Sequence, residues 1–438
     1  MSHIVMSNLN NSDVMVEIGS ITPNDRSRLR NLAQKWIEIA SSDVTQNRKY
    51  LWTRLHDLNP VRPMILFETL SVNGYITDHD LTCANEILRI VEKTMVSNIK
   101  QFEDLGDDIV LEKYFRIPWK ISKSNYGVEI VEHHAKDSLA YKSNFPIRSP
   151  EELSLLTNRT FSVDKNSSMQ LKSILEDIFG DILPVIIGNY DNFFPDLGFN
   201  PFTGNNFVGI TMDVYKLIGN ENMMLWPYDE PDKLHELMRY LTDDRLKYFK
   251  WLESEELLDA NTDNQFGGPS SYGYVSDLPS IGSKSNYKLS DVWCWAESQE
   301  TQQVSPQMFE EYFLPYIAEV SNLFGHSYYG CCETMDDRFE RIAKAMPNLR
   351  TVSVSGWNNF SKMGELLGNR YVYSRKPTPA FLSGSYLNWE LAEKDLVSTY
   401  QAAKNGCLEL IVRDVYDVGN DFQRMKKWVE LAKKIMQI

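Results

Sequence analysis

The sequence predicts an α/β protein: a (β/α)8 TIM barrel with an N-terminal helical extension. Three observations predict it. Short apolar runs such as RPMILFE (62–68), ILPVIIGNYDNF (182–193) and LELIVRDV (408–415) read as strands buried on both faces. Amphipathic helical stretches alternate with them, as in a parallel sheet covered by helices. The chain has 438 residues, 42% of them hydrophobic, which accommodates a barrel of about 250 residues and an elaborated N-terminal part. No Gly-x-Gly-x-x-Gly follows a strand, so a dinucleotide-binding open sheet fits less well. The expected division is an extension over 1–60 and a barrel over 61–438, with a long loop at 259–290.

The elements follow in order. Residues 22–41 read as a helix with Thr22 as cap and Pro23 in the first turn. A helix is predicted over 78–102 with Cys83 on its apolar side, and a strand over 107–119. After the run at 182–193, helices are expected at 207–217 and within 226–258. The stretch 259–290 is rich in Gly, Ser, Asn and Asp yet carries Phe266, Tyr272, Tyr274 and Tyr287, which suits a lid over a substrate mouth. Strands are then expected at 291–297, 326–332, 349–356, 370–375 and 408–415. The helix at 305–324 should start on Ser305-Pro306 and kink at Pro315. Helices at 334–346, with Thr334 as cap, at 390–404 and at 421–437 complete the pattern.

Net charge is −15 from 45 basic and 60 acidic residues. Without a lysine/arginine cluster, a nucleic-acid or anionic-membrane partner is not expected. No run of roughly 18 apolar residues occurs, so no membrane span is expected. Five widely spread cysteines make no disulfide framework and suit a reducing cytoplasm.

In a barrel, chemistry sits at the C-terminal ends of the strands. That rule nominates Glu68, Glu297, Gln299, Cys331, Cys332, Glu333, Trp357, Lys376, Arg413 and Asp414. Neighbouring strand residues point to opposite faces, so Cys331 is expected to face the mouth and Cys332 to be its packed neighbour. His326 lies roughly 17 Å from Cys331 along an extended strand, too far to share a metal. Glu297, beside Trp293 and Trp295, is expected to have a raised pKa and act as an acid. Arg413 and Asp414 could bind a substrate carboxylate, hold a metal, or form a structural ion pair. Glu333 either joins a metal site or opens the helix starting at Thr334. Lys376 is a further cation candidate.

The segments AESQETQQVSPQMFEEYFLPY, HSYYGCCET, VSVSGW and YSRKPTPAFL, in that order, resemble the uroporphyrinogen decarboxylase superfamily. That superfamily also holds zinc-dependent methyltransferases that work with corrinoid proteins, and is related to cobalamin-independent methionine synthase. The resemblance is clearest over 290–438. RPMILFETLSV stands where the decarboxylases carry paired arginines, so their many-carboxylate substrate is not expected. Cys331 aligns with the cysteine of the methyltransferases' His-x-Cys pair, Tyr329 stands in place of the histidine, and the distal ligand falls near Asp414 or Cys407. The resemblance therefore implies a methyltransferase moving a methyl group between a small molecule, such as a methoxylated aromatic, and a corrinoid carried by a partner protein. Zinc would sit on Cys331 and Asp414, Glu297, Arg413 and Glu333 would act on the substrate, and Glu68, Gln299, Trp357 and Lys376 would line it. A metal-independent decarboxylase or lyase, and a ligand-binding barrel without catalysis, stand as alternatives.

Overall fold

The computed structural model describes residues 19–134, 141–188, 206–384 and 387–438. Residues 1–18 of the expected extension and the tail of the strand expected at 182–193 lie outside the described residues. Helix α1 (Pro23–Ser41) starts on a reciprocal cap, the Asp25 N–H donating to Thr22 Oγ1 and the Thr22 N–H to the Asp25 carboxylate. Helix α2 (Asp43–His56) and strand β1 (Met64–Phe67) follow, then α3 (Glu86–Asp104). Next come β2 (Phe115–Pro118), β3 (Ile121–Lys123), β4 (Glu132–His134), β5 (Tyr141–Ser143), β6 (Phe161–Val163), α4 (Lys165–Phe179) and β7 (Val185–Gly188). Two long helices, α5 (Ile210–Asp229) and α6 (Pro231–Ser254), lead to a small hairpin of β8 (Phe266–Gly268) and β9 (Ser271–Tyr272). The last part alternates regularly: β10 (Trp293–Ala296), α7 (Pro306–Tyr312), α8 (Leu314–Ser321), β11 (His326–Tyr329), α9 (Phe339–Ala345) and β12 (Leu349–Val354). It ends with α10 (Phe360–Leu367), β13 (Val372–Arg375), α11 (Trp389–Ala403), β14 (Cys407–Val412) and α12 (Gln423–Met436). Among the described residues no helix is long and apolar enough to cross a membrane.

Six strands form one parallel sheet in the order β1-β14-β13-β12-β11-β10. β2 and β7 form a separate parallel pair. Both edges of the large sheet are covered. Beyond β10, residue Phe207 bridges to Trp295, and the Val208 N–H donates to the Trp295 carbonyl at 2.8 Å. Beside β1, carboxylates stand in for a neighbouring strand: Asp108 accepts from the Ile65 N–H and Asp107 from the Phe67 N–H, each at 2.9 Å. These bonds satisfy donors that a bare edge would expose.

Period-two alternation gives the sheet two different faces. One face presents Ile65, Phe67, Cys294, Ala296, Tyr329, Val352, Val354, Tyr373 and Leu410 to the large apolar core, into which α8, α10, α11 and α12 pack. The other face carries Leu66, Trp293, Trp295, Tyr328, Ser374, Glu409 and Ile411 at matching register. Helix α2 caps one end of that second face, against β1 and β14. Residues 259–275 fill the rest of it. Tyr272 and Tyr274 join the core cluster of Trp52, Met64, Leu66 and Ile411, and Gly267 and Gly268 pass directly over the rings of Trp293 and Tyr328. Asn261 accepts from the Trp293 N–H at 2.8 Å and donates to its carbonyl at 3.1 Å, pinning the insert to β10.

The lid expected at 259–290 is therefore two things. Its first half is an internal plug, because its aromatics have the second sheet face to cover; only about 276–288 lies mainly at the surface. Four other expectations shift for identifiable reasons. The helix expected from 78 begins at Glu86, since Glu92 takes up the backbone N–H groups of Thr82 and Cys83 and Asn85 supplies the cap. The strand expected at 107–119 contracts to 115–118, because Asp107 and Asp108 turn their side chains into the β1 edge. The helix expected from Thr334 begins at Phe339: the Thr334 N–H and hydroxyl both donate to Gln302, and the Met335 N–H donates to Asn358. The kink expected at Pro315 is a full break at Phe313, separating α7 from α8.

Candidate functional site

Two adjoining groups of buried side chains gather at the C-terminal ends of the strands. In the first, Arg413 Nε lies 3.9 Å from Glu68 and 3.1 Å from Asp414. The Ser270 hydroxyl, at the tip of the plug, donates to Glu68 at 2.5 Å. Burial raises the Glu68 carboxyl, against the opposing charge of Arg413 and the Ser270 bond. Lys376, almost fully buried, donates to Ser374 Oγ at 2.8 Å and lies 5.3 Å from the Tyr328 ring centroid. Burial pulls its ammonium down to about 7; Glu409, Cys331 and Glu68 work against that, and Arg413 adds to it.

Cys331 and Glu333 link this group to the second. β11 ends at Gly330, whose φ of 101° lets the chain turn sharply. The Cys331 N–H then donates to Glu333 at 2.6 Å, and the Ser298 N–H donates to the other Glu333 oxygen at 2.9 Å. Glu333 thus clasps the ends of β10 and β11 and does not open a helix. Beside it, Glu297 accepts from the Gln299 N–H at 2.9 Å, and Thr211 Oγ1 donates to Glu300 at 2.9 Å. Glu297 is held well above the ordinary carboxylate range, first by burial and then by repulsion from Glu300 and Glu333. Glu333 is raised too, again chiefly by burial. Gln299 is half-buried and reaches Glu300 at 3.3 Å.

Two residues are not where the sequence put them. Trp357 is 79% exposed, not buried with either group. Asn358 explains this: its buried amide donates to Glu333 and Ser355, anchoring the turn from beneath and leaving the indole outside. Trp357→Ala is expected to leave turnover unchanged and to move stability by no more than about 0.5 kcal/mol, readable by thermal melting and an activity assay. Cys332 is exposed rather than packed; its sulfur lies 3.7 Å from that of buried Cys331. The bond between them raises the Cys331 thiol and lowers the Cys332 thiol.

The zinc implied by the resemblance takes three protein ligands and an open position in catalytic sites. The sulfurs of Cys331 and Cys332 are adjacent, but the Asp414 carboxylate is engaged by Arg413 and by the Tyr416 hydroxyl. Among the described residues no three His, Cys, Asp or Glu side chains gather to hold a metal. The donor set as it stands does not fit such an ion, and Arg413 brings positive charge to this spot. His326, at the opposite end of β11, bonds Asp277 at 2.8 Å.

The sequence reading missed Ser270, Glu300, Ser374, Glu409 and His56. Glu300 and Glu409 had signals: a second glutamate three residues after Glu297, and a charged residue inside the apolar run LELIV. Ser270 and His56 had none, because only the tertiary path of the plug and of α2 brings them inward.

No family model matches the chain, and no curated protein does either. A solved structure, a methyltransferase from Methanosarcina mazei, is similar over 88% of this chain and 98% of its own, with 11% identity and a TM-score of 0.46. That likeness is too distant to speak to the reaction.

Proposed function

We propose that this chain is a methyltransferase that moves a methyl group between a small methoxylated molecule and a corrinoid carried by a partner protein. In this reading the pair β2–β7 completes the six-stranded sheet as a closed (β/α)8 barrel, and the protein works in the cytoplasm, where its thiols stay reduced. The observation that carries the reaction is the carboxylate group Glu297, Glu300 and Glu333, in which burial and the two neighbouring glutamates hold Glu297 well above the ordinary carboxylate range. A protonated acid does for a methoxy oxygen what a Lewis acid would do. As the C–O bond breaks with its electron pair on oxygen, the Glu297 proton passes to that oxygen and makes it a better leaving group. Arg413 and Lys376 supply the positive charge that holds an anionic substituent, and Glu68 with Ser270 orients Arg413. When bound, the corrinoid supplies the nucleophile that takes the methyl group. The resemblance of the segments over 290–438 to corrinoid-linked methyltransferases supports that choice of acceptor.

Methylation of free cob(I)alamin by a methoxylated aromatic, followed by visible absorbance, tests the reading. Enzyme-dependent methylation is the expected result, and its absence across a panel of such donors would remove the proposal. A second reading draws on Lys376 beside Arg413: a decarboxylase in which Arg413 grips the carboxylate, the C–C bond breaks to release carbon dioxide, and the Lys376 proton goes to the carbon left with the electron pair. Its distinguishing result is carbon dioxide release that Lys376→Met abolishes.

A further inference from the structure

Beneath the mouth, on the plug-covered face of the sheet, lies a buried histidine–glutamate pair that the proposed reaction does not use. His56, the last residue of α2, is fully buried under β14. Its Nδ1 lies 3.1 Å from the Tyr274 carbonyl and its Nε2 lies 3.2 Å from the Glu409 carboxylate. Trp52 stacks on its ring with centroids 5.7 Å apart, and Arg350 donates to its carbonyl at 2.6 Å. A carbonyl only accepts, so Nδ1 carries a proton, and Nε2 faces the Glu409 carboxylate. Glu409 pairs in register with Ser374 across β13 and β14. Ser374 Oγ already receives Lys376 Nζ at 2.8 Å and the Tyr328 hydroxyl at 3.0 Å, so its own proton is available to Glu409.

We infer that Glu409 and His56 are positioning residues that favour the ammonium form of Lys376 at the mouth, by setting one carboxylate charge, anchored from beneath by α2, across Ser374 from the ammonium. A buried lysine without such a counter-charge sheds its proton. The groups facing Lys376 are Glu409 and Arg413 from β14 and its end, Cys331 and Tyr328 from β11 and its end, and Glu68 after β1. Glu68 is matched by Arg413, and Cys331 is a thiol, which leaves Glu409 as the steady negative charge. Burial pushes Glu409 up, but the bond and charge of His56, then Lys376 and Ser374, bring it below the ordinary value, so it is anionic at neutral pH. The methyl-transfer reading enters only in what Lys376 is used for. The charge arrangement can be tested without any substrate.

The test is the titration midpoint of Lys376 in the full chain, read by NMR with ε-13C-labelled lysine and assigned by the signal lost in Lys376→Met. Glu409→Gln should lower the midpoint by about one pH unit or more, and Glu409→Asp should restore it. His56→Gln should lower it as well, because Glu409 then takes up a proton itself. A midpoint unchanged or raised in either folded glutamine variant overturns the inference. If Glu409→Gln fails to fold, His56→Gln, which leaves the carboxylate in place, decides alone.

Discussion

Replacing Glu297 by glutamine is expected to lower methyl transfer by about 10²–10³-fold while leaving the protein folded. The amide keeps the size of the side chain and can still accept from the Gln299 N–H, but it has no proton to give the leaving oxygen. Stability should move in the opposite direction. In the unfolded chain this carboxyl ionises in the ordinary range; in the folded chain burial and two neighbouring glutamates hold the proton to much higher pH. A group raised on folding contributes stability that is complete below its unfolded value and is lost as pH rises through its folded value. Glutamine never ionises and escapes that loss. Glu297→Gln should therefore melt no lower than the parent at neutral pH, and higher than the parent at alkaline pH. A variant both inactive and much less stable would point to a structural role for Glu297.

The second large effect concerns the plug. A β-carbon added at Gly268 would stand 2.1 Å from the Tyr328 ring, and that ring is fully buried and bonded through its hydroxyl to Ser374. Neither partner can withdraw, so Gly268→Ala is expected to cost about 1–3 kcal/mol of stability. It should also reduce turnover, because the displaced hairpin carries Ser270 away from Glu68. Ser283→Ala, in the exposed half of the same stretch, should stay within about 0.5 kcal/mol. Paired denaturant melts of the two variants measure this. Equal, small effects would mean that 259–275 is the mobile lid its composition suggested.

That contrast shows where the sequence was legible. The last five strands were readable because a strand buried on both faces must be apolar almost throughout, and Trp293–Ala296 and Cys407–Val412 meet that demand within about three residues of the expected bounds. Capping chemistry fixed the start of α1 for equally local reasons, and Pro315 marked where the helix expected at 305–324 is interrupted. Starts that depend on distant partners were not readable. Thr334 has every local mark of a cap, yet Gln302 takes its hydroxyl and N–H. The plug was misread because glycine and serine signal a loop by composition, whereas Gly267 and Gly268 are small so that backbone can cross two aromatic rings. At the site, position along the strands brought Glu68, Glu297, Cys331, Glu333, Lys376, Arg413 and Asp414 to one end of the sheet. Trp357 shared that position but not the direction, which the buried amide of Asn358 decides.

The central claim is that a buried, protonated Glu297 drives methyl transfer at this end of the sheet. The most direct measurement is the pH–rate profile of cob(I)alamin methylation for the parent and Glu297→Gln, side by side. The account predicts a parent rate that falls on the alkaline side as Glu297 loses its proton, and a variant that is at least about 10²-fold slower with that fall absent. Equal rates, or the same alkaline fall in both proteins, would contradict it.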